Sequence, residues 1–298
     1  MAQRAVLIVE CDPQVRAVLR QVFDAAGYAC ELAADGREAL EVFKARPAPL
    51  VVTDLKIPGM TGIELLQKLR AVDDDVAVIV LTDAADVKTA IASLKLGAYA
   101  FLLKPINADE VLITAARALE RRWLLIERRQ HQQADGQLQE ADRATPGQTD
   151  LGRRNVLILV VEEEREIRKL LQQIFDSAGY RCLLAGDGEE GLKVFRESRP
   201  SLVIADLGMP MVRGGKSVRD AGIRLLLEIR QEDPDAAVIV ASGNPDVETA
   251  IESLKLGAYA FLMKPIIVDE LLIIAERALE RRQLLVEHRQ DRLARPSS

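Results

Sequence analysis

The chain has 298 residues, of which 49% are hydrophobic and 29% are charged, and its formal net charge is -6. This composition excludes a disordered chain, and the negative charge argues against nucleic acid as the main partner. Three cysteines are too few for a disulfide framework, and no apolar run reaches the ~18 residues that a membrane span requires. We therefore expect a cytoplasmic protein of about two domains without membrane contacts.

The first half of the chain alternates short apolar runs with amphipathic segments. The predicted strands are 5–9, 28–33, 50–53, 76–81 and 99–103, and the predicted helices begin near Pro13, Gly36, Gly62, Val87 and Asn107. Because each strand is followed by a helix, the strands should pair in parallel through right-handed crossovers. The prediction is an α/β fold with a doubly wound five-stranded sheet, and fold analogy favours the flavodoxin-like order 2-1-3-4-5.

The second half of the chain repeats the first. Asp54 corresponds to Asp206 with an offset of 152, and Lys104 corresponds to Lys264 with an offset of 160, so the second copy carries an insertion near 212–221. A repeat this long indicates whole domains in tandem. The expected divisions are a first domain at 1–123, a helical extension and linker at 124–153, and a second domain with a helical tail at 154–298.

Acidic, hydroxyl and basic residues follow the strands at the edge where open parallel sheets bind ligands. In the first copy they are Glu10, Cys11, Asp12, Asp54, Thr82 and Lys104. Clustered carboxylates suit Mg²⁺, and the ion and the lysine would neutralise a transferred phosphoryl group. Because a carboxylate can itself accept that group as an aspartyl phosphate, the set predicts a phosphoryl-transfer site.

This ordered set resembles the receiver domain of two-component response regulators. The resemblance rests on the acids after the first strand, on Asp54 with Pro58-Gly59 and Gly62, on Thr82, and on Lys104-Pro105, and it covers nearly the whole chain, twice. It implies signal transduction by phosphoryl transfer from a histidine kinase or phosphotransfer protein to Asp54, Asp206 or both. Such a protein is not an enzyme beyond its own phosphorylation and dephosphorylation, and its output is contact with a downstream protein partner.

The resemblance also implies a role for each site residue. In the first copy, the Mg²⁺ ligands would come from Glu10, Asp12, Asp54 and the Lys56 backbone carbonyl, while Thr82 and Lys104 would contact phosphoryl oxygens. In the second copy, the corresponding residues are Glu162, Glu163, Asp206, the Gly208 carbonyl, Ser242 and Lys264. Phe101 and Phe261 occupy the family's aromatic switch position, or they serve only as packing aromatics.

Both copies depart from the family's usual pair of adjacent acids after the first strand. Cys11 stands at the second acidic position of the first copy, and a thiol is a poor Mg²⁺ ligand. The second copy keeps both charges as Glu162 and Glu163, so we expect it to hold the better metal site. These departures leave one alternative open, a pseudo-receiver that acts as an adaptor or scaffold without phosphorylation. Binding of a flavin or nucleotide is disfavoured, because the acidic turns lack the glycine of phosphate-binding loops.

The last helix of each copy carries a second pattern. Apolar residues recur at heptad spacing at Leu112, Ala116, Leu119, Trp123 and Ile126, and an interrupted version contains Leu272, Leu279 and Val286. Two interpretations remain. Each helix packs on its own domain and extends into solvent, or this seam mediates self-association through the long last helices.

Overall fold

The computed structural model describes residues 4–83, 87–134, 153, 155–211, 219–243 and 247–294. The chain divides into two compact units, 1–131 and 132–298, which are described separately. Most of the predicted linker and most of the predicted insertion lie outside the described residues, so the domain divisions stay predictions. Within the described ranges, no helix combines the length and the apolar character needed to cross a membrane.

Unit one contains a five-stranded parallel sheet, and helices connect the strands that follow one another in sequence. Its elements are β1 (Ala5–Val9), α1 (Pro13–Ala25), β2 (Ala29–Ala33), α2 (Gly36–Ala45), β3 (Leu50–Asp54), β4 (Lys56–Ile57), β5 (Met60–Thr61), α3 (Gly62–Val72), β6 (Ala77–Thr82), α4 (Val87–Lys95), β7 (Ala100–Leu103) and α5 (Ala108–Ala134). The sheet order is β2-β1-β3-β6-β7. The predicted order 2-1-3-4-5 is confirmed.

Unit two repeats this architecture. Its elements are β8 (Leu157–Val161), α6 (Arg165–Ser177), β9 (Arg181–Ala185), α7 (Gly188–Ser198), β10 (Leu202–Asp206), α8 (Arg219–Glu232), β11 (Ala237–Ser242), α9 (Val247–Lys255), β12 (Ala260–Met263) and α10 (Val268–Ala294). The sheet order is β9-β8-β10-β11-β12, and every pair of strands is parallel. The second flavodoxin-like sheet is therefore confirmed as well.

The core of unit one has a layer on each side of the sheet. Alternate residues of β1 face opposite layers: Leu7 packs in the cluster that contains Phe43, and Ile8 packs in the cluster that contains Phe23. All four side chains are fully buried. Because both faces of the strand are covered, its sequence is continuously apolar instead of alternating.

A short antiparallel hairpin follows the strand that carries Asp54. Lys56 pairs with Thr61, and Ile57 pairs with Met60. Between them, Gly59 has a φ of 78°, in the left-handed region that glycine adopts without steric cost. The sequence indicates only a turn at this point, since two-residue strands are too short to show periodicity.

The last helices contribute part of the predicted seam to the cores. Leu112 and Leu119 pack against the cluster of unit one that contains Phe23. In unit two, Leu279 belongs to the equivalent cluster and Leu272 packs against it. This part of the seam therefore contributes to the core of each unit, and self-association stays a prediction.

Candidate functional site

Lys104 joins two carboxylates at the carboxyl edge of the first sheet. Glu10 directly follows β1, Asp54 ends the neighbouring strand β3, and Lys104 directly follows β7. The Lys104 Nζ donates to Asp54 Oδ2 at 2.7 Å and to Glu10 Oε2 at 2.9 Å. The ammonium group thus lies between two acids that would otherwise repel each other.

This cluster is largely shielded from water. Glu10 is 1% exposed, Asp54 is 8% exposed, and the Lys104 side chain is 21% exposed. Burial lowers the pKa of Lys104, but its hydrogen bonds and charge attraction with Asp54 and Glu10 outweigh burial, so the net pKa is raised above the ordinary lysine value. Lys104 is therefore positively charged throughout the neutral range.

Backbone amides fix the other oxygen of each carboxylate. The Lys56 N–H donates to Asp54 Oδ1 at 3.2 Å, and the Asp12 N–H donates to Glu10 Oε1 at 3.1 Å. A carboxylate offers about four lone-pair sites, so each of these acids retains acceptor capacity after its two hydrogen bonds. The carboxylates are oriented and still able to bind a further cation or donor.

Asp12 acts as the N-cap of α1. Its Oδ1 accepts from the backbone N–H of Gln14 at 2.7 Å and of Val15 at 3.3 Å. The structure does not bring Asp12 into the cation-binding group, because its carboxylate serves the first amides of the helix. That group consists of Glu10, Cys11 and Asp54, whose potential ligand atoms all lie within 4.8 Å of one another.

Unit two reproduces the lysine bridge. Lys264 Nζ lies 2.7 Å from Glu162 Oε2 and 2.9 Å from Asp206 Oδ2. The Gly208 N–H donates to Asp206 Oδ1 at 3.2 Å. Burial raises the pKa of Glu162, with the charge of Asp206 adding to this effect and Lys264 opposing it. Proximity to the two carboxylates raises the pKa of Lys264 despite its burial.

The second acidic position differs between the units. Glu163 is exposed, and within the described residues the only group of three converging metal-ligand side chains is the one in unit one. Convergence of the side-chain ligands thus favours the first copy, whereas the all-oxygen ligand set of the second copy suits Mg²⁺ better.

Arginines on the first helix of each unit hold the acidic loops. Arg16 Nη1 donates to the carbonyl of Glu10 and, at 3.4 Å, to that of Cys11. Arg168 makes the equivalent contacts, including one to the carbonyl of Glu162. Sequence reasoning assigned these arginines no role. Each arginine follows the buried glutamate of its unit by six residues, and this repeated spacing is the feature of the sequence that could have indicated their role.

Glycines allow the third helix of each unit to approach the aspartate loop closely. A Cβ at Gly62 would lie 2.6 Å from the carbonyl oxygen of Asp54, and one at Gly222 would lie 2.7 Å from that of Asp206. Both distances are well below a normal van der Waals contact. These positions therefore require glycine for close backbone approach.

The predicted hydroxyl and aromatic residues lie on the adjoining strands. Thr82 ends β6, is 1% exposed, and donates through Oγ1 to the carbonyl of Asp83 at 3.3 Å. Ser242 ends β11 and is half-buried. Phe101 and Phe261 are half-buried against their units' cores, so their switch role stays a prediction.

Comparison with known proteins identifies a matching domain family and similar proteins. The sequence model for the response regulator receiver domain matches residues 6–116 and 158–276. The C4-dicarboxylate transport transcriptional regulatory protein DctD of Rhizobium meliloti is 31% identical over 193 residues, which cover 65% of this chain and 39% of that protein. The chain therefore spans well under half of this relative.

A shorter relative is matched over most of its length. The sporulation initiation phosphotransferase F of Bacillus subtilis is 35% identical over 111 residues, covering 37% of this chain and 90% of that protein. Among solved structures, a response regulator receiver domain protein from Clostridium thermocellum is 27% identical with a TM-score of 0.40, covering 41% of this chain and 98% of that one. The receiver domain of NtrX from Brucella abortus is also 27% identical, with a TM-score of 0.38 and coverages of 39% and 98%.

Proposed function

The chain belongs to the response regulator receiver domain family, and we propose that it accepts a phosphoryl group on Asp54, on Asp206 or on both. The donor is the phosphohistidine of a histidine kinase or phosphotransfer protein, as part of a two-component phosphorelay in the cytoplasm. The chain supplies the catalysis of its own phosphorylation and dephosphorylation, and a downstream protein partner reads the result.

The lysine bridge between Asp54 and Glu10 is the observation that carries this proposal. In the transfer, an Asp54 carboxylate oxygen attacks phosphorus, the P–N bond of phosphohistidine breaks, and the departing imidazole takes up a proton. Lys104, 2.7 Å from Asp54, provides a fixed positive charge for the phosphoryl oxygens. Thr82, at the end of the neighbouring strand β6, provides a hydroxyl donor.

The two units fit Mg²⁺ differently. Receiver domains generally bind Mg²⁺ through acidic residues, and a bound ion would supply further charge neutralisation at the transferred group. In unit two, Glu162, Glu163, Asp206 and the Gly208 carbonyl offer only oxygen, which Mg²⁺ prefers. In unit one, Cys11 replaces one of these oxygen donors with sulfur, so the fit is poorer.

The proposal is tested by incubating the full chain with acetyl phosphate and Mg²⁺ and recording intact mass. We expect the mass gain of a phosphoryl group, lost in part in Asp54→Ala or Asp206→Ala and lost fully in the double variant. An unmodified, folded wild-type chain would favour the adaptor alternative. Undiminished uptake in the double variant would place the acceptor elsewhere and overturn the assignment.

A further inference from the structure

The cation-binding group of unit one contains sulfur as well as oxygen. Glu10, Cys11 and Asp54 bring one thiol and two carboxylates within 4.8 Å of one another. Cys11 is exposed, so an ion can reach its sulfur from solvent. The residue at the corresponding position of unit two, by the repeat offset of 152, is Glu163. The chain therefore carries two related sites that differ in the softness of one ligand.

The spacing of these atoms matches a small tetrahedral ion. Cys11 Sγ lies 3.7 Å from Glu10 Oε1 and 4.0 Å from the Lys56 carbonyl oxygen. A tetrahedral Zn²⁺ with bonds of about 2.3 Å to sulfur and about 2.1 Å to oxygen separates those ligands by about 3.6 Å. The two observed distances from the sulfur to oxygen therefore differ from this tetrahedral separation by only a few tenths of an ångström.

The chemistry of the ligands points in the same direction. Thiolate sulfur binds borderline ions such as Zn²⁺ and Co²⁺ strongly, whereas Mg²⁺ takes oxygen ligands almost exclusively. Two carboxylates and a thiolate, which releases its proton on binding, would offset the charge of a divalent ion beside Lys104. Asp54 and Glu10 are held in place by backbone amides, so ion binding requires little rearrangement.

We propose that the first receiver binds a borderline divalent cation of the Zn²⁺ class through Cys11, Glu10 and Asp54, while the second receiver keeps the family's preference for Mg²⁺. The role of this site in signalling rests on the proposed phosphoacceptor function. The ion preference itself does not, since it is a property of the ligand set. The two receivers of one chain would then respond to different cations.

Titration of the full chain with Co²⁺ as a probe tests the proposal directly. Sulfur bound to Co²⁺ gives a charge-transfer absorption in the near ultraviolet that oxygen ligands do not give. We expect this band in the wild type, its displacement by added Zn²⁺, and its loss in Cys11→Ser. Zn²⁺ affinity measured by calorimetry should fall by at least about tenfold in the same variant, because a thiolate ligand becomes a hydroxyl.

Two further variants control the assignment. The double variant Cys30→Ser with Cys182→Ser removes the other thiols of the chain and should retain the band. Cys11→Asp restores a hard ligand, so it should abolish the band and raise Mg²⁺ affinity towards that of the second site. Absence of the band in the wild type, or its persistence in Cys11→Ser, would overturn the proposal.

These titrations contain no phosphoryl donor, so they test the ion preference of the first site independently of the proposed phosphoacceptor function. If Asp206 takes up phosphate with Mg²⁺ while no Co²⁺–sulfur band forms, the phosphoacceptor function stands and the ion preference is wrong. If the band forms as expected but neither aspartate takes up phosphate under any divalent ion, the site binds metal and the phosphoacceptor function is wrong.

Discussion

Arg122 and Asp73 form a two-bonded ion pair that ties α5 to the loop before β6. Arg122 Nη1 lies 3.2 Å from Asp73 Oδ1, and Nη2 lies 2.9 Å from Oδ2. The two side chains are 18% and 23% exposed. Unit two repeats the pair with Arg282 Nη1 2.8 Å from Asp233 Oδ2. The long last helix of each unit is thus anchored to its own receiver beyond the apolar core.

Removal of this anchor should destabilise unit one. Arg122→Ala leaves a partly buried carboxylate without its planar partner, and we expect the free energy of unfolding to fall by about 1–2 kcal/mol. Urea unfolding followed by the fluorescence of Trp123, the sole tryptophan, reports on this helix. The control is Arg37→Ala, whose pair with Glu41 is 88% and 71% exposed and should change stability negligibly. Equal effects of the two substitutions would contradict the anchoring role.

Loss of the bridging lysine should slow phosphoryl uptake. In an Asp206→Ala background, Lys104→Ala removes the charge 2.7 Å from Asp54, and we expect the rate of modification to fall by about 10²-fold. Time-resolved intact mass with acetyl phosphate gives the rate. Lys44→Ala changes an exposed lysine in the last turn of α2 and is the matched control. A rate unchanged by Lys104→Ala would show that the lysine bridge does not contribute to phosphoryl transfer.

The glycine beside Asp206 should tolerate no side chain. In Gly222→Ala, the added Cβ meets the Asp206 carbonyl oxygen and the Leu207 Cα, each at 2.7 Å, so the loop must shift. We expect a loss of about 1–3 kcal/mol in the free energy of unfolding, measured by circular dichroism in urea. Gly243→Ala is the control, since its Cβ would meet nothing within 4 Å. If Gly222→Ala proved as stable as the control, close approach of the backbone to the Asp206 loop would not be the reason for glycine at position 222.

The thiols should differ sharply in reactivity. Burial, supported by a hydrogen bond and the charge of Asp24, raises the pKa of Cys30 to about 12, and burial with Asp176 raises that of Cys182 to about 12. At pH 8 both stay protonated and unreactive, while exposed Cys11 should be alkylated first by iodoacetamide. Intact mass should show one rapid adduct, absent in Cys11→Ser. Rapid labelling of all three thiols in the native chain would contradict this ranking.

The same pKa shifts fix the direction of a pH effect on stability. Above the ordinary thiol pKa of 9.0, the unfolded chain loses protons that folded Cys30 and Cys182 retain. The unfolded state then binds fewer protons, so the free energy of unfolding should fall as pH rises from about 9 towards 12. Replacing both residues with alanine should flatten this decline in urea unfolding measured across that range.

The sequence predicts the sheet and the central acids because both follow from repeated local patterns. Buried parallel strands such as β1 are recognisable as continuous apolar runs, and Asp54 and Lys104 share an edge because parallel strands end together. The role of Arg16 is not predictable in this way, since a long side chain reaches a carbonyl outside any periodic pattern. Asp12 is expected from the resemblance to be a metal ligand, and only its hydrogen bonds to the first amides of α1 identify it as a helix cap.

Direct location of the phosphoryl group tests the central claim. After treatment with acetyl phosphate and Mg²⁺, borohydride reduces an aspartyl phosphate to homoserine, which peptide mass mapping assigns to a residue. The account predicts homoserine at position 54, at position 206 or at both, and at no other aspartate. Phosphate retained on any other residue, or a folded chain with no homoserine at either position, would contradict it.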